Sequence, residues 1–248
     1  MVIDAHAHLG YDHVFDVEQN EEELLRYYSQ YNIDGAIVQP FISRPYVEDM
    51  VQIHDRIHVL CLKYPGRFWG MASIDPHLRP EDYEKEAVRC VKELGFVGIK
   101  MTPIAHAVNP PTRDGRHVLE VARELGVPVM IHTGAGIPFA DPVSLIPIVR
   151  DFPDVKIVMA HCGTDLFFQQ ALYLAETYKN VYAEPSWLNI LNTKRLVDTI
   201  GVERVMFSSD HAINAIVELV KYKTAITNGA DLERVLSGTV IEVFSLKV

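Results

Sequence analysis

Short apolar runs alternate with longer amphipathic segments along almost the whole chain. The apolar runs are rich in β-branched and aliphatic residues and are bounded by Gly, Pro or polar turns, which is typical of strands buried on both faces. They predict strands near residues 2–6, 34–39, 68–74, 96–101, 127–132, 155–161, 180–184 and 203–208. The segments between them predict helices near 20–31, 46–63, 80–94, 113–125, 141–151, 164–178, 193–200 and 212–226, with a further helix near 231–245.

This alternation predicts an α/β fold, specifically a (β/α)8 TIM barrel that forms a single domain over residues 1–248. Each crossover helix returns the chain to the start of the next parallel strand, and eight such units match the barrel in number and size. A doubly wound open sheet is the alternative. It lacks support, because no Gly-x-Gly-x-x-Gly segment follows a strand and no Gly-x-x-x-x-Gly-Lys-Ser/Thr loop is present.

Two histidines close the first apolar run, in Ile3-Asp4-Ala5-His6-Ala7-His8. Side chains alternate faces along a strand, so residues at i and i+2 project the same way and two imidazoles can meet one cation. Pairs of this kind also occur on solvated strand faces, where the imidazoles meet water. The pair alone therefore leaves two alternatives open, half of a metal site and a hydrated strand face.

Three later strands also end in a side chain that can bind a metal. His132 follows Pro128-Val129-Met130-Ile131, His161 follows Met159-Ala160, and Asp210 follows Phe207-Ser208-Ser209. Taken singly, each is better explained as a buried polar group bonded to the backbone. A barrel, however, brings the carboxyl ends of its strands to one mouth, so together these residues predict a shared site.

Composition and charge narrow the classes of partner. The 248 residues are 48% hydrophobic and carry a formal net charge of -10 at pH 7. This charge disfavours nucleic acid and anionic lipid, since both attract a positive surface. Cys61, Cys90 and Cys162 are too few and too unpatterned for a disulfide framework. With no apolar leader and no stretch of membrane-spanning length, we expect a cytoplasmic protein that binds a small-molecule substrate, without nucleic-acid or membrane partners.

The order of the motifs resembles the amidohydrolase superfamily of metal-dependent barrels. The branch in question contains small hydrolases and lactonases together with aminocarboxymuconate semialdehyde and resorcylate decarboxylases. This chain is shorter than those decarboxylases, so we expect a small pocket. The resemblance runs from Ile3 to the final helix and is carried by Ile3-Asp4-Ala5-His6-Ala7-His8, Gly98-Ile99-Lys100, Pro128-Val129-Met130-Ile131-His132-Thr133-Gly134, Met159-Ala160-His161-Cys162-Gly163 and Phe207-Ser208-Ser209-Asp210.

The resemblance implies a set of site residues. His6, His8, His132 and Asp210 would be metal ligands. His161 would lie beside the metal as an acid or base, as an electrophile, or as another ligand. Imidazole and carboxylate ligands suit one zinc ion, with manganese, iron and cobalt as alternatives.

These residues make hydrolysis the first expected activity. A coordinated divalent cation lowers the pKa of its bound water toward neutrality, which supplies hydroxide. Asp210 would accept the proton of that water, and His161 would polarise the scissile carbonyl. We therefore expect hydrolysis of a small amide, lactone or ester. The alternatives are a metal-dependent decarboxylase that uses the same residues and a non-catalytic barrel that binds a metabolite.

Lys100 ends the fourth predicted strand, where some superfamily members carry a carboxylated lysine between two metals. As an ordinary ammonium it would repel a second cation and hold a substrate carboxylate, and we expect this state and a mononuclear site. The alternative is a structural pairing with Glu184 or Asp75.

Other residues near the mouth are candidates for substrate binding. Arg44, after the second strand, has a planar guanidinium that can clamp a carboxylate, although a solvated loop arginine explains it equally well. His106 is expected to line the pocket, and Ser186 and Trp187 to form a wall. His211 is expected to point away, because it directly follows Asp210 on an extended segment.

Two groups of residues are assigned to the outer ring of helices. His54 and His58 lie four positions apart on a helix, and we expect them to be structural. Phe167, Phe168 and Tyr173 could form an apolar surface for a homodimer, or they could equally pack on the barrel.

Overall fold

The computed structural model describes residues 1–134 and 139–248, and its strands form the predicted (β/α)8 barrel. Parallel pairing runs from β1 through β3 to β4 and from β5 through β6, β7 and β8 to β9, while β2 pairs antiparallel with β1. Met71 separates β4 from β5 where the sequence predicts one strand. The bounds are β1 Ile3–Asp12, β2 Val17–Gln19, β3 Gly35–Pro40, β4 Phe68–Gly70, β5 Ala72–Ser73, β6 Ile99–Met101, β7 Val129–His132, β8 Ile157–Ala160 and β9 Val181–Glu184.

Helices connect the strands on the outside of the barrel. They are α1 Glu21–Tyr31, α2 Val47–Lys63, α3 Pro80–Val88, α4 Pro103–His106, α5 Arg113–Leu125, α6 Ile146–Asp151, α7 Thr164–Thr177, α8 Ile190–Ile200, α9 Ala215–Ala225, α10 Gly229–Glu233 and α11 Thr239–Phe244. A π-helical turn at Arg234–Gly238 joins α10 to α11, where the sequence predicts one helix. Within the described ranges, no helix has both the length and the apolar character needed to span a bilayer.

The last barrel segment is an irregular extended stretch, whereas the sequence predicts a regular strand near 203–208. Met206 N donates to Ala183 O at 3.0 Å and Ala5 N donates to Phe207 O at 3.0 Å, so the stretch lies between β9 and β1. Phe207 N donates to Val235 O instead of to a strand, which interrupts the ladder. The barrel is therefore closed by a few separate hydrogen bonds at this seam.

A bulge in β1 decides which of its side chains face the barrel interior. The register with β3 shifts by one residue between Asp4 and Ala7. Ile3 accordingly packs inside the barrel, while Ala7 packs in the core between barrel and helices. Because the bulge reverses the alternation, His6 and His8 are turned inward in the middle of β1, at the carboxyl end of the barrel.

Apolar side chains fill the barrel interior below the histidines, and α11 closes the opposite end. The strands and α11 contribute buried residues to one cluster, which includes Ile37, Met71, Met130, Val158, Met206, Val240 and Phe244. The packed interior leaves the carboxyl ends of the strands as the place for a ligand.

The surface of α7 differs from the apolar patch that the sequence suggests. Phe168 is only 2% exposed and belongs to the core, while Tyr173 is 54% exposed. Phe167 is half-buried. Phe168 therefore follows the second alternative and packs on the barrel, and the homodimer stays a prediction.

A buried polar network ties α2 and α3 to β5. His54 Nδ1 lies 2.7 Å from Glu86 Oε1, and His54 Nε2 accepts a hydrogen bond from Ser73 N at 3.0 Å. Arg89 donates to both oxygens of Glu86, at 2.8 and 2.7 Å. Cys90 is close enough to His54 and Glu86 for the three to resemble a metal site. Since the imidazole and the carboxylate are already bonded, we interpret the network as structural.

Glu86 makes this network sensitive to acid. Burial alone would raise the pKa of Glu86, but hydrogen bonds from Arg89 and His54 outweigh it and lower the pKa to about 2. The ionised carboxylate therefore stabilises the fold above pH 4.5, the ordinary value, and this contribution is lost as the pH falls toward 2.

We expect Glu86→Gln to lower the free energy of unfolding at pH 6. Between pH 6 and pH 3 the variant should then lose less stability than the native protein, by roughly 1–3 kcal/mol. Urea unfolding at pH 6, 5, 4 and 3 measures the effect. Glu120→Gln, an exposed carboxylate on α5, is the control and should follow the native curve. Parallel curves for native protein and Glu86→Gln would contradict the prediction.

Candidate metal centre

His6, His8 and Asp210 converge at the carboxyl end of the barrel. His6 Nε2 lies 3.0 Å from His8 Nε2 and 3.2 Å from Asp210 Oδ1, and His8 Nε2 lies 3.1 Å from the same oxygen. Metal–ligand bonds of about 2.0–2.2 Å place neighbouring ligand atoms roughly 3.0–3.5 Å apart. The three atoms are thus spaced as the ligands of one ion would be.

Hydrogen bonds behind the two imidazoles determine which nitrogens face this point. His6 Nδ1 lies 3.1 Å from Glu184 Oε2 and His8 Nδ1 lies 3.0 Å from Pro40 O. Both partners are acceptors, so each Nδ1 carries a proton and each Nε2 is directed inward as the atom that can bind a cation. Burial, followed by the nearby Lys100, holds the pKa of His6 well below its usual range. Two lone pairs and a carboxylate oxygen therefore converge, an arrangement that a cation stabilises.

Lys100 brings a positive charge to the same point. Its side chain is 2% exposed, and Nζ donates to His6 Nε2 at 3.1 Å. Burial lowers the pKa of Lys100 to about 8, with Asp210 and Glu184 opposing the shift, so the ammonium predominates at neutral pH. Among the described residues, its hydrogen bond goes to His6 and not to Glu184 or Asp75.

His161 and His132 form the next part of the cluster. The ring centroid of His161 lies 5.1 Å from that of His6 and 4.9 Å from that of His132. His161 Nδ1 lies 2.7 Å from Ser186 Oγ. Burial holds the pKa of His161 well below its usual range, so the ring is neutral. Ser186 thus contacts His161, whereas the sequence predicts that it forms part of the wall of the substrate pocket.

Glu184 is a residue whose role sequence reasoning missed. Its Oε2 accepts from His6 Nδ1 and from His161 N at 2.9 Å, and its Oε1 accepts from Ser186 N at 3.2 Å. The side chain is fully buried. One signal was available, because Glu184 ends β9 just as His132 ends β7.

Asp210 has a left-handed backbone that corrects the expectation for His211. With φ of 66° at Asp210, the chain is not extended there, so His211 does not point to the opposite face. It lines the same cavity as Asp210. Trp187 Nε1 donates to Asp210 Oδ2 at 2.8 Å, which fixes the outer carboxylate oxygen.

A cavity of about 120 Å³ opens above the cluster. Such a volume is the room of about four waters at roughly 30 Å³ each, which agrees with the expected small pocket. Arg44 is exposed, and neither it nor His106 is among the described residues of the cavity wall, because His106 Nδ1 turns back to accept from Thr102 N at 3.4 Å. The wall consists of His8, Asp12, Phe15, Phe41, Ile42, Lys100, Thr102, Ile104, His132, His161, Asp210 and His211.

The sequence matches a family model and is similar over part of its length to a curated enzyme. A family model described as Amidohydrolase matches residues 3–216. The chain is 25% identical over 182 residues to a 2-keto-4-carboxy-3-hexenedioate hydratase of Sphingobium sp.. That match covers 59% of this chain and 53% of the hydratase, so the chain matches about half the length of this relative.

Solved structures share the fold over almost the whole chain. A 2,6-dihydroxybenzoate decarboxylase from Rhizobium superposes with a TM-score of 0.80 at 16% identity, covering 99% of this chain and 98% of the other. A 5-carboxyvanillate decarboxylase from Novosphingobium aromaticivorans, complexed with manganese and 4-hydroxy-3-methoxy-5-nitrobenzoic acid, gives 0.79 at 17% identity, covering 99% and 96%. These similarities establish the barrel.

We expect Glu184→Gln to lower the free energy of unfolding by about 1–3 kcal/mol, because either orientation of the amide points its NH2 group at a buried N–H donor. Urea unfolding at pH 7 measures the loss. Glu242→Gln, an exposed carboxylate paired with Arg234, is the matched control and should change stability by less than about 0.5 kcal/mol. Equal effects of the two substitutions would show that Glu184 does not anchor the histidines.

Proposed function

The chain belongs to the amidohydrolase family, whose model covers residues 3–216, and from that premise we propose that it is a metal-dependent lyase that decarboxylates a small unsaturated or aromatic carboxylic acid. The sequence puts hydrolysis first and decarboxylation second. Similar structures include decarboxylases, and these support the second activity better than the first.

The metal part of the proposal rests on the donor atoms of this chain. His6, His8 and Asp210 would hold one divalent ion, and His132, which lines the same cavity, would complete the set. Zinc and manganese both suit imidazole and carboxylate ligands, and manganese is bound in a decarboxylase of similar fold. When bound, the ion supplies a Lewis acid that polarises an oxygen of the substrate.

The observation that carries the substrate class is the buried ammonium of Lys100 in the wall of the same cavity. If Asp210, Glu184 and the Asp12 carboxylate of the cavity wall are all counted as anions, they balance a divalent ion and Lys100, so the net charge of the site does not select the substrate. The substrate class rests on Lys100 itself, because a carboxylate matches the N–H donors of its ammonium.

His161 is the residue that we assign to proton transfer. Loss of carbon dioxide leaves the electron pair of the broken carbon–carbon bond on the substrate carbon, which must take up a proton. A carboxylate next to His161 favours its protonated form, so substrate binding charges an imidazole that burial keeps neutral beforehand. Since His161 Nδ1 is hydrogen-bonded to Ser186 Oγ, Nε2 is the atom that would donate the proton.

Hydration of a carbon–carbon double bond is the second candidate, and the match to a hydratase favours it. A hydratase also acts on an unsaturated acid and also moves one proton to or from carbon. Lys100 and His161 would then keep the same roles. The two reactions differ in their products, so an assay can separate them.

The metal proposal predicts about one equivalent of zinc or manganese in protein purified without chelator. His6→Ala should remove it, because a centre that loses one of its ligands binds its ion far more weakly. Elemental analysis measures the stoichiometry. His117→Ala, a half-buried imidazole on α5 that faces Glu84 and Glu120, is the control and should keep the ion. Equal metal content in both variants would contradict this assignment.

The activity predicts carbon dioxide release from hydroxybenzoates or α,β-unsaturated acids. Lys100→Met should raise KM about 10–100-fold through loss of a charge-assisted hydrogen bond, and Lys100→Arg should recover part of it. Addition of water without release of carbon dioxide would favour the hydratase. Cleavage of lactones or amides alone would make hydrolysis the preferred activity again. If a metal-loaded protein turns over none of these compounds, the non-catalytic barrel gains support.

A further inference from the structure

The hairpin formed by β1 and β2 is held rigidly at the mouth of the cavity. Its strands pair antiparallel from Gly10 opposite Gln19 to Asp12 opposite Val17. The Asp12 carboxylate accepts hydrogen bonds from the backbone N–H groups of the next turn, at 2.7 Å from residue 14 and 3.0 Å from residue 15. His13 N donates to Ile42 O at 3.1 Å, which anchors the turn to the loop after β3.

Phe15 sits in this turn and is unusual in being both part of the cavity wall and 59% exposed. A single exposed apolar side chain is ordinary on a protein surface, but one that also lines a cavity places apolar surface where a ligand enters. The hydrogen bonds of Asp12 and His13 fix the backbone on which the ring is carried. Phe15 therefore presents a preplaced apolar surface to whatever enters the cavity.

The wall of the cavity contains both polar and apolar groups. Lys100 and the proposed metal ligands form one part of the wall, and Phe15, Phe41, Ile42 and Ile104 contribute apolar surface. The Phe41 ring is already stacked on His8, with centroids 4.5 Å apart and planes 7° apart. Phe15 has no such ring partner among the described contacts, so its face or edge is available to a ligand.

We propose that Phe15 is a specificity-determining residue that contacts the flat unsaturated body of the substrate while its carboxylate lies at Lys100. The inference rests on the proposed function and narrows its substrate class to acids with one planar ring or a conjugated chain of similar size. Aromatic contacts favour offset or edge-to-face geometry, which a planar ligand offers and a short aliphatic acid does not.

The size of the cavity sets an upper limit for the ligand. Its volume of about 120 Å³ is the room of about four waters at roughly 30 Å³ each, so it holds one six-membered ring at most. A second fused ring, as in 2-naphthoate, would need the space that Phe15 occupies. Removal of the Phe15 ring should therefore affect the two acids in opposite directions.

Calorimetric titration of metal-loaded protein with benzoate, acetate, 2-naphthoate and neutral benzamide tests the inference. We expect Phe15→Ala to weaken benzoate and benzamide about tenfold, to leave acetate unchanged and to tighten 2-naphthoate. Phe15→Tyr keeps the ring and should bind benzoate like the native chain. Val14→Ala alters an exposed side chain of the same turn that is outside the cavity wall, and it should change none of the four affinities.

The outcomes separate the role of Phe15 from the proposed function. Equal weakening of acetate and benzoate in Phe15→Ala would overturn the inference, since it would mean that the hairpin, not the ring, had changed. The native chain could also bind benzamide through Phe15 but bind none of the carboxylates. That result would refute the anionic substrate and would support the contact between Phe15 and a planar ligand. The proposed contact with Phe15 would be overturned if Phe15→Ala changed the affinity of no probe that the native chain binds. It would also be overturned if the native chain bound none of the probes.

Discussion

Closure of the barrel between β1 and residues 205–210 is the constraint on which the candidate centre depends. Asp210 N donates to His6 O at 2.8 Å, so the aspartate is tied directly to the strand that carries the histidine pair. Behind this bond, the buried Asp4 carboxylate accepts from His6 N at 3.0 Å and from Ser209 N at 2.9 Å. Tyr28 of α1 donates to the same carboxylate at 2.7 Å. Ligands that are some two hundred residues apart in sequence are thereby held within hydrogen-bond distance.

The carboxyl end of the barrel also holds backbone conformations that would be unfavourable elsewhere. Asp210, His161 and Trp187 have φ of 66°, 61° and 65°, a region that costs L-residues about 1–2 kcal/mol each. Each has a partner that holds it in place. Asp210 is held by His6 O, His161 N by Glu184, and Trp187 N by Glu218 Oε1 at 3.0 Å. Strain of this kind is concentrated where side chains must be aimed precisely into a cavity, because the surrounding hydrogen bonds leave the chain no other path.

The sequence was most informative where an apolar run leads into a side chain that can bind a metal. His6, His8 and Asp210 were predicted on this basis and lie within 3.2 Å of one another. The bulge in β1 was not visible, although it is what turns both histidines inward, because alternation along a strand contains no signal for a one-residue shift.

Loop residues and turn conformations were harder to predict. Arg44 and His106 were chosen by their position after strands, but loop side chains follow no periodic rule and both are directed elsewhere. His211 was misjudged because a left-handed aspartate cannot be foreseen from its neighbours. Phe15 was overlooked for a related reason. The hairpin that carries it lies where β1 was expected to have ended, so its ring was not associated with the mouth.

Burial gives His6 a property that it would not have on a hydrated strand face. On a solvated strand, an imidazole would titrate near its ordinary pKa of about 6.5 and would repel a cation below it. In the barrel, burial lowers the pKa of His6, so protons do not compete for its Nε2 at neutral pH. Desolvation is unfavourable unless the remaining polar atoms are bonded, and Glu184 and Pro40 O meet that requirement at the Nδ1 atoms of His6 and His8. Glu184 and the backbone at Pro40 therefore hold both rings in the orientation that the candidate centre needs.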